Sequence, residues 1–255
     1  RGVTFSARRT VFFLGAAGLT AFLLWGLAGL PDFGNFRGDY GLLLNRVGVD
    51  ETSATNIVAA VTFDYRGFDT MAEEFILFAA VLGTALLLRA QREEEEGPAE
   101  DMAQDRRPPH DSDAVRELCL GLVAPAVLFG LYVVAHGHLS PGGGFQGGVV
   151  LATAPLLMYL AGEYAGLRAL SPQSVVELAE GSGAAGYVGV GLVGLAASVS
   201  FMKNFLPLGR PGDLLSSGTI LVLNFAVGLA VAAGFVLLLT EFLEQTLEVR
   251  GRSRA

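Results

Sequence analysis

Two stretches of this sequence concentrate side chains that can hold or pass a proton beside long apolar runs. The first is Asp64-Tyr65-Arg66-Gly67-Phe68-Asp69-Thr70-Met71-Ala72-Glu73-Glu74, with four carboxylates and one guanidinium in eleven residues. The second is His136-Gly137-His138-Leu139-Ser140, which leads into Pro141-Gly142-Gly143-Gly144-Phe145-Gln146-Gly147-Gly148. A third candidate is Lys203, the only lysine in the chain. Inserting a charged group into a bilayer costs roughly 2.5 to 3.5 kcal/mol, so each such group near a span is a candidate for ion or proton handling. Histidine titrates near neutral pH, and burial can shift a lysine's pKa, which fits both to proton relay.

Each candidate also has a structural reading. Gly67 permits a tight turn, Asp69 or Thr70 can cap the helix that follows, and Glu73 falls where a capping box places its acid. Those roles do not explain why Glu73 and Glu74 precede so apolar a helix. His136 and His138 can bond backbone carbonyls, and two residues apart on a helix they face different directions, which argues against a shared metal. The glycines at 142–144 and 147–148 suit a tight or re-entrant loop packed on a neighbouring helix. They lack the Gly-x-x-x-x-Gly-Lys-Ser/Thr spacing of a phosphate loop. Lys203 can snorkel to the interface, and Glu163 and Glu241 suit headgroup level. No Ser/His/Asp or Cys/His set for nucleophilic catalysis is present, and no cofactor is expected. One cysteine, Cys119, and three histidines leave no zinc pattern or intrachain disulfide.

The elements that must position these groups are membrane spans. Of 255 residues 52% are apolar and 34 are glycine, and the mean hydropathy is +0.51. The formal charge is −8, which disfavours nucleic acid as a partner. A bilayer core needs about 20 apolar residues per helix. Six stretches approach this: about Val11–Leu30, Thr70–Leu88, Leu118–Ala135, Gly147–Gly162, Ala184–Phe201 and Leu214–Leu239. The expected fold class is therefore all-α integral membrane protein, with about six transmembrane helices arranged two plus four. A short interfacial helix is expected over Ser53–Phe63, with Asp50 and Glu51 at its N-terminal, dipole-favoured end.

Ten acids lie between Glu93 and Glu117, together with Pro108-Pro109. This composition cannot bury enough apolar surface to fold alone and reads as a linker. The expected organisation is a two-span module over 1–90, the linker over 91–114 and a four-span module over 115–248. With the N-terminus inside, the inner segments carry twelve Lys and Arg and the outer ones five, so both termini and the linker are expected in the cytoplasm. Arg8-Arg9 before an apolar run also fits a signal peptide, but the run is long and Ala28-Gly29-Leu30-Pro31 is a poor cleavage site. The chain starts at Arg, so a few residues are expected upstream.

Pro-Gly-Gly-Gly-Phe-Gln-Gly-Gly-Val-Val at 141–150, with Asn204-Phe205-Leu206-Pro207-Leu208-Gly209 and Gly218-Thr219-Ile220, resembles the B-type (MnhB/MrpB) component of the multisubunit Mrp-type Na⁺/H⁺ antiporters over about 115–245. Asn56-Ile57-Val58 through Asp64-Tyr65-Arg66-Gly67-Phe68-Asp69-Thr70 resembles the C-terminal part of their large A-type component, or the E-type subunit of membrane-bound hydrogenases. Where the family pattern after Asp-Thr reads Leu-Gly-Glu, this chain has Met71-Ala72-Glu73. Glu73 thus matches the family's acid, and Ala72 replaces its glycine. Relatives often carry Pro after Gly-Thr-Ile and a charge in Val-Gly-Leu-x-Val, where this chain has Leu221 and Ala230.

The resemblance implies a plasma-membrane subunit of a complex that exchanges cytoplasmic Na⁺ for external protons, without enzyme turnover. Its partners would be other hydrophobic antiporter subunits. On the leading reading Glu73, Asp64, Asp69 and Arg66 stand at the edge of a cation or proton path, with Glu74, His136, His138 and Lys203 as further candidates from their own chemistry. Two other readings remain: a subunit in the ion-pumping arm of a redox complex such as a membrane-bound hydrogenase, and a purely structural subunit packed through its glycines.

Overall fold

The computed structural model describes residues 5–30, 34, 38–93, 112–161, 166–167, 171–198 and 200–252, without the side chains of 5–8, 89–93 and 243–252. Most of the expected linker, Glu163 and Arg168 lie outside the described residues. The chain forms two compact units, Arg1–Leu42 and Leu43–Ala255. The first holds α1 (Phe5–Ala28), whose Arg9–Ala28 stretch is long and apolar enough to cross a membrane. It also holds the start of α2 (Asp39–Thr52).

The second unit continues with α3 (Ile57–Ala60), a π-helical turn over Val61–Tyr65, α4 (Gly67–Glu93), α5 (Asp113–Ala135), α6 (Gly144–Leu160), α7 (Gln173–Ser198) and α8 (Thr219–Arg252). Among the described residues five helices have the length and composition of a span, and the protein is an all-α integral membrane protein. The sixth expected span is α6, whose 17 residues rise about 25 Å, less than the hydrocarbon core needs unaided. Its N-terminus at Gly144 places Gly144, Gly147 and Gly148 in a helix, where the sequence suggested a loop.

Several boundaries differ from expectation. Asp50 and Glu51 close α2 and do not open a helix, so they sit at the dipole end that disfavours them. The Ser53–Phe63 helix is replaced by a nonhelical Ser53–Asn56 stretch, the short α3 and the π turn. Asn56 stops a longer helix, because its side chain caps α3 by accepting from the Val58 amide at 3.1 Å. Arg66 lies outside the helices on either side, and α4 starts directly after it. Asp69 and Thr70 therefore lie inside the first turn of α4 and are not its caps. Thr70 Oγ1 instead donates to the Thr62 carbonyl at 2.9 Å, which ties α4 to the π turn. α7 begins eleven residues before the expected Ala184, and α8 begins at Thr219 and not Leu214.

α8 is the enclosed helix, with most of its Thr219–Phe242 stretch buried, and it packs against α4, α6 and α7. Lipid tails are as apolar as leucine, so helices associate in a bilayer by close van der Waals fit, which small residues allow. Gly144, Gly148 and Ala152 recur at every fourth position of α6. At Gly148 a Cβ would meet the Gly228 carbonyl at 2.8 Å and Val231 Cβ at 2.9 Å. Gly147 faces α5, where a Cβ would lie 2.8 Å from the Gly130 carbonyl and the Val134 amide. On α7, Gly183 admits the α8 backbone at Ala226 and Ala230 in the same way. Two buried apolar clusters follow along α8. One joins Ala54, Ala59, Phe63, Tyr187, Met202, Ile220, Leu223, Val227 and Val231, and the other joins Val81, Ala152, Val176, Ala233, Val236 and Leu237.

Candidate functional site

The 53–56 stretch and the turn after α5 are locked together by main-chain acceptors. The Asn56 amide donates to the His138 carbonyl at 3.0 Å, and Asn56 Nδ2 donates to the carbonyls of Gly137 at 2.7 Å and Ser140 at 3.0 Å. Thr55 Oγ1 donates to the Leu139 carbonyl at 2.7 Å. Two residues thus satisfy four consecutive carbonyls of the turn that follows α5. Ser217 Oγ donates to the Ser53 carbonyl at 3.1 Å, and Ser53 adopts a left-handed φ of 53° to reach it.

Behind this joint lies a set of buried polar groups: Thr52, His138, Ser216, Ser217, Thr219 and Asn224, each at most 2% exposed. Asn224 Oδ1 accepts from the Gly144 amide at 2.8 Å, so a side chain of α8 fixes the N-terminus of α6. Asn224 Nδ2 donates to the Ile220 carbonyl at 3.0 Å. Gly142 and Gly143, with φ of 137° and 147°, make the turn into that terminus in backbone geometry that favours glycine. Pro141, Phe145 and Gln146 are exposed on the outer side of the same run, and Phe145 meets the Phe235 ring edge-on.

The two histidines divide. His136 stacks on the Tyr132 ring at 4.1 Å, with Nδ1 3.1 Å from the Tyr132 carbonyl. His138 is fully enclosed, and its ring nitrogens approach the Asp213–Leu214 backbone without reaching hydrogen-bond geometry. Burial pushes the His138 pKa below the ordinary value, more than the neighbouring backbone and then His136 alter it. This imidazole is therefore held toward its neutral form, able to take a proton only at a cost.

The carboxylates divide as well. Arg66 pairs with Asp69 through both Nε, at 2.6 Å, and Nη2, on an exposed edge. Asp64, half-buried on the π turn, has its pKa raised by burial, with Lys203 opposing the rise and Glu51 adding to it. Tyr65 donates its hydroxyl to Glu51. Lys203 itself is exposed and close enough to Asp64 to be felt electrostatically. Glu73 is exposed on the outer face of α4, whereas Glu74 is buried, 8% exposed, on the face shared with Thr70 and Val81. Asp64, Asp69, Arg66 and Lys203 thus gather at one end of α4, and His138 sits in a separate enclosed pocket beside α8. Among the described residues no group of three or more His, Cys, Asp or Glu is placed to hold a metal ion.

Of the buried polar residues that escaped the sequence reading, three bear on the site or on the core. Asn224 interrupts an apolar span, a signal that was available. Tyr187, 1% exposed, donates its hydroxyl to the Gly67 carbonyl at 2.9 Å and so pins the start of α4. Glu180 lay outside the expected Ala184–Phe201 span, so nothing marked it as intramembrane.

Residues 115–237 match the model of a family described as a domain related to the MnhB subunit of Na⁺/H⁺ antiporters. An uncharacterized protein of Methanocaldococcus jannaschii is 30% identical over 210 residues, covering 73% of this chain and 78% of that one. A probable K⁺/H⁺ antiporter component of combined A/B type from Rhizobium meliloti is 32% identical over 130 residues, which is 44% of this chain and only 13% of that protein. Among solved structures, a chain of the membrane-bound sulfane sulfur reductase, an archaeal respiratory membrane complex, superposes with a TM-score of 0.68 at 33% identity. That match covers 92% of this chain and 98% of the other. A chain of the Mrp complex from Dietzia sp. DQ12-45-1b shares the fold, with a TM-score of 0.67 at 24% identity over 94% of this chain and 26% of that one. Residues 115–237 thus form an MnhB-related domain, and the chain belongs to one family with the Methanocaldococcus jannaschii protein, which it matches over 73% of its own length and 78% of that protein's.

Proposed function

We propose that the chain is a membrane subunit of a multisubunit cation/proton antiporter, acting with other hydrophobic subunits and driven by the proton motive force. The observation that carries this reading is the family match over 115–237. Its turn at 137–140 is held by Thr55 and Asn56 of the segment that leads to Asp64, Arg66, Asp69, Glu73 and Glu74, and Asn224 holds the start of α6 against α8. Na⁺ is the proposed cation, the cell membrane the proposed location, and the cytoplasm the proposed side of both termini. Exposed Glu73 then faces a neighbouring subunit, lining a path at that boundary, while Asp64 and Lys203 set the charge at its mouth. The protein's role is transport and not enzyme turnover.

A second reading has its own observation. The matched chain of the respiratory membrane complex is 33% identical with a TM-score of 0.68, against 24% and 0.67 for the Mrp chain, and this likeness supports a subunit of a redox-driven pump. In that setting electron transfer in partner subunits replaces the cation gradient as the drive. Gentle extraction of the tagged chain from its native membrane, with identification of what stays bound, separates the two: antiporter-like subunits alone support exchange, and iron–sulfur or nickel subunits support redox drive. In everted vesicles, Glu73→Gln should reduce Na⁺-dependent proton exchange with assembly intact. Wild-type exchange by the assembled variant defeats the role given to Glu73.

A further inference from the structure

We propose that Glu180 of α7 is a proton-holding site in the middle of the bundle, loaded as the neutral acid and emptied as protons cross. The inference rests on the transport reading above and assigns it a residue that neither the sequence motifs nor the family match marks.

Glu180 is 3% exposed, and its Oε1 has neither solvent nor a hydrogen-bond partner. The carboxyl points at bare backbone. A Cβ at Gly234 of α8 would lie 3.4 Å from that oxygen and 3.2 Å from Val81 Cγ2 of α4. Glycine at 234 therefore leaves room for the carboxyl at the meeting of three helices. Glu180 shares its helix face with Gly183, Ala184 and Tyr187, which are buried one and two turns further along α7.

Among the described residues no base compensates this acid. The described side chains of α4, α6, α7 and α8 include no Lys, Arg or His. Their other described titratable groups are Asp69, Glu73 and Glu74 on α4, Tyr159 on α6, Glu177 and Tyr187 on α7, and Glu241 on α8, all of which become anionic or remain neutral. A carboxylate removed from water without a cation or a full set of donors is too costly to persist, so the resting form is the acid. An acid that must be neutral to be buried, with one oxygen unengaged, is suited to store one proton and release it when a path to water opens.

Its level in the bundle also fits. α4 and α8 run the same way: Gly67 lies against Met202, which clusters with Ile220, while Val81 clusters with Ala233 and Val236. Glu74 is seven residues before Val81, and Glu241 is seven after Gly234. At 1.5 Å per residue, each stands about 10 Å along the axis from Glu180, on opposite sides. Glu74 and Glu241 are both buried, at 8% and 3% exposed. The three acids thus descend through the bundle on three different helices, and water would complete the steps between them.

The test uses the assembled complex in proteoliposomes with a pH-sensitive dye inside, driven by a Na⁺ pulse or by electron donor. Glu180→Gln, at wild-type assembly, should cut proton movement by tenfold or more. Glu180→Asp should retain part of it with a displaced pH profile, which a packing role would not produce. Proton movement by assembled Glu180→Gln within twofold of wild type overturns the proposal. A second measurement treats the wild-type complex with dicyclohexylcarbodiimide, which modifies protonated carboxyls in apolar surroundings, and maps adducts by mass spectrometry. An adduct at Glu180 that declines with rising pH supports the site, and its absence counts against it. If wild type moves no protons under either drive, the transport reading fails by itself. The protonation of Glu180 is then decided by the adduct alone, as it is if Glu180→Gln does not assemble.

Discussion

Replacing Asn56 by alanine removes the donor that bonds the Gly137 and Ser140 carbonyls and the acceptor that caps α3 at Val58. Each hydrogen bond contributes about 0.5 to 1.5 kcal/mol net. An N-cap contributes about 0.5 to 2 kcal/mol. Together these give a loss of about 3 kcal/mol. The effect should be local: the backbone bond from the Asn56 amide to the His138 carbonyl survives in geometry but opens more often. At about 1.4 kcal/mol per factor of ten, 3 kcal/mol corresponds to roughly a hundredfold rise in the opening equilibrium. Hydrogen exchange of the purified complex, read on peptides covering 53–60 and 134–142, would report this as roughly hundredfold faster exchange, with peptides from the middle of α8 unchanged. Asn56→Asp is the sharper control, because it keeps the cap acceptor and faces two carbonyls with an anion. It should open the joint at least as much as alanine. Exchange within twofold of wild type in both variants would refute the claim that this side chain holds the two segments together.

The remaining predictions are briefer. His138 has a folded pKa below its ordinary 6.5, so the folded state binds fewer protons than the unfolded chain in that range and stability falls as pH drops through 6.5. The melting temperature of the complex should fall between pH 7.5 and 5.5, and His138→Gln should flatten that fall; equal slopes in the two proteins would refute the assignment. Gly148→Val drives a Cβ into the Gly228 carbonyl and Val231, so α6 and α8 must part. The cost should be about 1 to 3 kcal/mol, seen as a lower melting temperature, and an unchanged one would show that this approach is not tight.

The membrane class and most spans were legible because continuous apolar runs carry the signal by themselves. What was not legible depended on partners distant in sequence. Ser53–Phe63 was expected as one helix, yet Asn56 spends its side chain on a turn more than eighty residues away, and no local pattern records that. Glu180 fell outside its span because Glu177, Glu180, Gly181 and Gly183 lower the local apolar density, while the helix continues through them. Glu73 and Glu74 are adjacent and alike in sequence; only the rotation of α4 against α8 buries one and exposes the other. Of the five glycines in 141–148, three lie within α6, where an added Cβ would meet a neighbouring helix, and only the turn at Gly142-Gly143 is loop.

The joint between Thr55-Asn56 and residues 137–140 reads carbonyl oxygens and ignores the side chains that carry them. Its specification is therefore one of length and backbone path. In descent, positions 139 and 140 are free to drift in residue type, while inserting or deleting one residue between 137 and 140 breaks several bonds at once. A junction written in main-chain atoms also leaves two segments able to diverge separately in sequence, or to be encoded apart, and still meet in the same register.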